Sequence, residues 1–203
     1  MARKIDWSHH PLGQPQTWSV SLKTTLGILF NSRQAMFLFW GKDNIGFYND
    51  AQISILGPAR HPHVMGKMGS EIWPDVWEQF ALPQIKVAMM GQSTWTENQL
   101  IPLLRSCQLD DGYFSYGYSP VYAENGIIGG AIVTCIETTG QVLAEKSLRE
   151  NQERLKVTLT EVSEAKQNVV DVLESMSDGF ISMDKDFRIL RVNKKTRTNI
   201  RLG

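Results

Sequence analysis

Residues 112–122 read GYFSYGYSPVY, where three rings, two of them phenols, alternate with the nearly bare residues Ser115, Gly117 and Ser119. A strand sends alternate side chains to opposite faces. Phe114, Tyr116 and Tyr118 therefore share one face. Buried phenols need hydrogen-bond partners, so the ring face suits a core or a partly polar cavity. Other groups capable of chemistry are scattered. His61 and His63 stand in HPHVMG, where Pro62 argues for a turn and against a helix presenting imidazole to haem iron. Cys107 and Cys135 are too far apart for a metal knuckle. Glu97, Asp110 and Asp111 have no spacing that forces them together, and aspartate is common in turns for conformational reasons alone. No catalytic residue and no metal site follow from these patterns.

Composition narrows the classes further. The chain has 203 residues, 42% of them apolar, with 21 basic and 21 acidic side chains. Such a balance gives no overall pull toward nucleic acid or membrane. Seven basic residues against one acidic fall in 185–203, which reads as a solvated face more readily than as a phosphate-binding patch. The most apolar window, 26–40, is interrupted by Asn31, Ser32, Arg33 and Gln34, too short and too polar to span a membrane. The polar, proline-containing start is unlike a secretory signal. With only two cysteines, a cytoplasmic location is expected.

The elements that must position these residues follow from periodicity. Trp18, Leu22, Leu26, Leu29 and Phe30 predict a short amphipathic helix. MFLFW, a GKDN turn and IGFY predict a hairpin. Asn49 with Gln52 three residues on fits an N-cap and its capping-box partner, for a helix stopped by Gly57-Pro58. A second helix is expected over 77–90. Three strands are expected at 94–104, 113–122 and 127–136, joined by turns at Asp110-Asp111-Gly112 and Glu124-Asn125-Gly126. Together these describe an α+β domain with an antiparallel sheet.

Beyond Thr138 the texture changes. Leu148, Leu155, Val162, Val169 and Met176 recur every seven residues, with Leu159 and Leu173 beside them, which is a coiled-coil seam. Gln152 and Lys166 interrupt it. FISMD and FRILRVN then echo the MFLFW–IGFYN hairpin, with no other internal repeat.

In order, PLGQPQTW, MFLFWGKDNIGFYNDA, HPHVMGKMGSEIWP, FSYGYSP, NGIIGGAIV and IETT lie within roughly 6–145. This series resembles the PAS domain, closely so in its bacterial sensor histidine kinase form. The resemblance implies a PAS fold: a five-stranded antiparallel sheet with short helices on one face, an N-terminal helix and a C-terminal coiled-coil helix. Pro120 takes the place of the family's register-fixing proline. Phe114, Tyr116 and Tyr118 are then turned inward with Ala131, Val133 and Cys135, and the bare face is left for the N-terminal helix or a partner subunit. The implied ligand-binding set is Phe39, Trp73, Met89, Phe114, Tyr116, Tyr118, Val133 and Cys135. Glu137 and Thr138 match the family's relay motif, and Thr138 can cap the exit helix with Gln141 answering it. Light-sensing relatives carry a reactive cysteine where this chain has HPHVMGKMGSEIW, which argues against covalent flavin as Pro62 argues against haem. The ligand's identity stays open.

VLESMSDGFISMDKDFRILRVN (172–193) resembles the opening of another PAS domain. The expected organisation is an N-terminal extension (1–34), a PAS domain (35–140), a signalling helix (141–176) and a truncated second PAS domain (177–203). Neither a phosphoacceptor-histidine helix nor an ATP lid is present, so the chain itself is expected to catalyse nothing. It is expected to form a homodimer through Leu148, Leu155, Leu159, Val162, Val169 and Leu173, and to act on downstream domains of the same polypeptide, without nucleic acid or membrane. The rival reading is a ligand-free structural module serving only dimerisation and relay.

Overall fold

MFLFW and IGFY form β1 (Met36–Trp40) and β2 (Ile45–Tyr48), with every residue of both strands buried. In the GKDN turn between them, Gly41 and Asn44 take positive φ. The computed structural model describes residues 5–105 and 108–201, in two compact units, Met1–Leu143 and Ala144–Gly203.

In the first unit β3 (Thr94–Arg105), β4 (Gln108–Tyr122) and β5 (Ile128–Glu137) join β1 and β2 in one antiparallel sheet, ordered β2-β1-β5-β4-β3. The α+β architecture is therefore as the sequence predicts. One turn is not. Asp110-Asp111-Gly112 lies inside β4, with Gly112 opposite Ile101 and Asp111 opposite Pro102. β3 ends at Arg105 and β4 begins at Gln108, and residues 106–107, Cys107 among them, lie outside the described residues. Gly112 serves close approach instead of a turn: a Cβ there would sit 2.7 Å from the Phe114 ring and 3.4 Å from Thr139 Oγ1.

Short helices cover the inner face of the sheet. They are a 3-10 turn (Asp50–Gln52), α2 (Ile53–Leu56), α3 (Gly69–Ile72), a π turn (Trp77–Ala81) and α4 (Leu82–Met89). Gly57 ends α2 with φ 75° and ψ 165°, an extended positive-φ conformation that is essentially reserved for glycine. The single helix expected over 77–90 is divided. Its first turn is wide, and Pro83, which has no N–H to offer, stands in the first turn of α4.

The outer face is covered by the N-terminal segment. In α1 (Val20–Asn31), Leu22, Leu26 and Leu29 are buried, while Ser19 accepts from Leu22 N at 3.2 Å as the N-cap. Trp7 and Trp18 pack on Phe47 with centroids 5.9 and 5.6 Å away. The face bearing Gly117 is also partly filled from within: the Trp95 ring of β3 stands beside it, and Trp40 stands over Gly129 and Gly130.

α5 (Thr139–Ser175) begins in the first unit and continues into the second. None of its residues is buried. Leu148, Leu155, Leu159, Val162 and Val169 are all 58–60% exposed, and Leu173 is half-buried. A hairpin of β6 (Ile181–Met183) and β7 (Ile189–Val192) follows, then α6 (Lys194–Arg201). No helix among the described residues is long and apolar enough to cross a membrane.

Candidate functional site: a ring-lined cavity

Between the inner sheet face and the helices lies a cavity of about 80 Å³. That is several times the ~10–15 Å³ that admits one water. β1 gives it Phe37 and Phe39, β3 gives Ile101 and Leu103, β4 gives Phe114, Tyr116 and Tyr118, and β5 gives Val133 and Cys135. The helical side adds Gln52, Ile55, Trp73, Val76, Phe80 and Ala81. Alternation builds the sheet wall: Tyr116 is paired with Cys135 and Tyr118 with Val133, so the four share one face. Phe37 and Phe39, two apart on β1, bring their rings within 4.6 Å on that same face.

Of the eight residues singled out in the sequence, Phe39, Trp73, Phe114, Tyr116, Tyr118, Val133 and Cys135 stand in this wall. Met89 does not. It ends α4 and is 37% exposed, whereas Ile85 and Ala88 are the buried residues of that helix. One residue beyond Ala88 is a rotation of about 100°, which takes Met89 off the inward stripe. Phe37 was readable from its spacing to Phe39. Ile101 and Leu103 were hidden by the misplaced turn.

Gln52 is the polar member that the capping pattern concealed. Its backbone N–H donates to Asn49 Oδ1 at 3.2 Å, so the N-cap forms. The side chain does not answer the cap. It stands in the cavity wall, with Oε1 buried and without a hydrogen-bond partner. The residue as a whole is only 3% exposed.

The phenols are held neutral. Burial pushes the Tyr118 hydroxyl far above its ordinary range, and nearby Tyr116 and Cys135 add to this. Tyr116 is also raised, chiefly by burial, with a hydrogen bond to Thr96 acting the other way. Their rings meet edge to face at 5.9 Å. Trp73 is fixed from behind by the Arg60 guanidinium, 4.8 Å from its ring and itself paired with Asp75 at 2.7 Å. His61 Nδ1 lies 3.1 Å from the Tyr48 hydroxyl, whose pKa burial pushes up to about 12. Among the described residues no group of three or more His, Cys, Asp or Glu could hold a metal ion.

The joint between sheet and α5 is made by a residue one position beyond the one expected. Thr138 N–H donates to Tyr113 O at 2.8 Å, and Thr138 O accepts from Val142 N. Its hydroxyl, however, is buried with no partner. Thr139 Oγ1 instead accepts from Tyr113 N at 2.9 Å and donates to Glu137 Oε1 at 3.1 Å. Tyr113 precedes Phe114 of the wall, so cavity and helix start share one stretch of β4.

No family model matches the sequence, and no curated protein matches it. Solved structures similar to this chain include the phage VqmA–DPO complex, 11% identical, with 77% of this chain and 68% of that one covered at a TM-score of 0.45. Another is the PAS domain of BvgS from Bordetella pertussis, 14% identical, covering 65% of this chain and 97% of that one at 0.43. A third is a sensory box sensor histidine kinase from Vibrio cholerae, 17% identical, covering 57% and 90% at 0.42.

Proposed function

We propose that the first unit is a sensory PAS module: it binds a small molecule in the ring-lined cavity and passes its occupancy to α5. One observation carries this reading. Phe114 lines the cavity while its neighbour Tyr113 holds Thr139 in the first turn of α5, so displacement of β4 by a ligand acts directly on the start of the helix. In this reading Glu137 and Thr139 form the relay, with Thr138 contributing backbone only.

α5 pairs with a second copy in parallel through Leu148, Leu155, Leu159, Val162, Val169 and Leu173. Helices in proteins gain most of their stability from packing, not from propensity, and five of these six stand more than half exposed in the single chain. Gln152 and Lys166 weaken the seam, as suits a linker that shifts between two packings. Residues 177–203 open a second unit of the same kind, and the parent protein is a signalling protein of the histidine kinase type.

Mass spectrometry of the gently purified chain under native conditions tests the sensor, and sedimentation tests the pairing. A co-purifying small molecule lost on denaturation is expected, on a dimer. An empty dimer favours the purely structural module. An empty monomer at high micromolar concentration removes the relay as well.

A further inference from the structure

A cavity enclosed by sheet and helices needs a way in. Among the described residues of its wall all are buried except Phe80 and Cys135, which are partly exposed. Cys135 is fixed. It lies in β5, opposite Tyr116 of β4 on one side and with its N–H donated to Ala35 O at 3.0 Å on the other, so it moves only if the sheet opens.

Phe80 stands on the π turn, whose backbone is held in two registers at once. Val76 O accepts from Phe80 N at 3.0 Å, four residues on, and from Ala81 N at 3.3 Å, five residues on. Leu82 N then donates to Trp77 O, again five residues back. A carbonyl shared by two donors keeps one bond when the other is released, so passing between the α and π registers gives up only part of a hydrogen bond. Pro83 removes a further restraint: without an N–H it offers the carbonyl of Gln79, four residues earlier, no α-type partner. The other end of the turn is anchored. Trp77 is buried against Phe39, with ring centroids 5.5 Å apart, and a Cβ on Gly69 would strike its ring.

We infer that Phe80 is the gate of the cavity: a register shift of the π turn, between the anchor at Trp77 and the unbonded step at Pro83, swings its ring off the opening. This rests on the sensor reading above and adds the route by which the ligand enters.

Xenon, which enters apolar cavities in proteins, tests the gate without knowledge of the natural ligand. Xenon-129 NMR of the full chain gives both its affinity and its rate of exchange with the cavity. In Phe80→Ala exchange should be about tenfold faster, the worth of the half-buried ring that opening exposes. Phe80 is part of the wall, so this variant also alters affinity, and a second variant separates the two effects. Pro83 is exposed and outside the wall. Pro83→Ala restores an N–H that can hold the turn in the α register, and should slow entry and exit together about fivefold, the worth of one hydrogen bond, with affinity unchanged. Melting temperatures check that both variants fold, and Pro83→Ala decides alone should Phe80→Ala fail to do so. Exchange that is unaltered in Phe80→Ala would remove Phe80 as the gate and leave the sensor reading standing. Unaltered or faster exchange in Pro83→Ala would overturn the register shift. A chain that takes up no xenon would overturn the gate and the sensor reading together.

Discussion

Asn49 closes the β1–β2 hairpin and Asn193 closes the β6–β7 hairpin, each directly after the second strand. Asn49 Oδ1 accepts from Met36 N at 3.1 Å and Gln52 N at 3.2 Å, and its Nδ2 donates to Ser32 O at 3.0 Å and Gln34 O at 2.6 Å. Asn193 Oδ1 accepts from Phe180 N at 2.9 Å and Thr196 N at 3.1 Å, and its Nδ2 donates to Leu173 O at 3.1 Å and Asp178 O at 2.9 Å. One carboxamide thus ties the approach to a hairpin, its first strand and the following helix in both units. The surroundings differ. β1 and β2 are wholly buried, whereas Ile189 and Leu190 of β7 are 58% and 68% exposed. The corner is therefore a local device that forms with or without a core beneath it.

The residue three beyond the asparagine separates the two corners more sharply. In the second unit it is Thr196, whose hydroxyl donates to Asn193 Oδ1 at 2.8 Å and lies 3.2 Å from Phe180 O. In the first it is Gln52, which lies in the cavity wall and leaves its buried Oε1 without a partner. The same position answers the asparagine with its side chain in one unit and not in the other.

Removing each asparagine should break the apparent equivalence. Asn49→Ala strips four hydrogen bonds from a corner under the main core, and should lower the unfolding free energy of the first unit by about 3–4 kcal/mol. Asn193→Ala should leave that transition within about 0.5 kcal/mol of its original position. It should instead speed amide exchange at Phe180 and Thr196. Urea denaturation read from tryptophan fluorescence measures the first effect, since all six tryptophans, Trp7 to Trp95, lie in the first unit. Equal losses in that transition would mean that the two corners share one cooperative unit.

A second pair of variants sharpens what sets the first unit apart, its joint to α5. Thr139→Val removes the acceptor of Tyr113 N and should cost about 1 kcal/mol. Thr138→Val replaces a buried, unpartnered hydroxyl by a methyl, and should be neutral or slightly stabilising. Thermal denaturation of the two variants side by side suffices. A larger loss from Thr138→Val would restore it as the capping residue.

What could be read from the sequence was what periodicity and local chemistry control. Alternation placed Phe114, Tyr116 and Tyr118 on one face, and Asn49 declared itself a cap from its place after IGFY. The failures share a cause: each concerned a local pattern that a distant contact overrode. Asp110-Asp111-Gly112 has turn chemistry, yet Gly112 is small because the Phe114 ring and Thr139 crowd it. Gln52 has capping-box spacing, yet the choice between answering the cap and joining a cavity wall depends on helices and strands far along the chain. Thr138 and Thr139 are adjacent and alike in type. Only the pairing with Tyr113 distinguishes their hydroxyls.

Helix starts extend the comparison to its smallest term. In the second unit Glu174 accepts from Lys194 N at 2.6 Å and pairs with Arg197 at 3.1 Å, capping α6 from 20 residues back. In the first unit Glu124 reaches α1 from 103 residues away, accepting from Ser21 N at 2.8 Å and from Ser21 Oγ at 3.1 Å. A carboxylate at a helix N-terminus meets unpaired N–H groups and the positive end of the helix dipole. The Ser21 N–H above all, with further hydrogen bonds, accordingly holds the Glu124 carboxyl below its ordinary value. Because the folded pKa is lowered, the tether's contribution is fully present above about pH 4.3, the unfolded value, and is lost as pH falls through the folded one. Glu124 is exposed and the effect is screened by salt, so the consequence is local: α1 loosens at its first turn while the sheet stays intact. Proteolysis within 19–23 by an acid-active protease should accelerate in the unaltered chain as pH drops below about 4. Glu124→Gln should be cut faster at neutral pH, with a flatter profile, and the two rates should converge as the Glu124 carboxyl protonates. Identical profiles for the two chains would assign the docking of α1 to Leu22, Leu26 and Leu29 alone, and would leave capping by a distant carboxylate a feature of the second unit only.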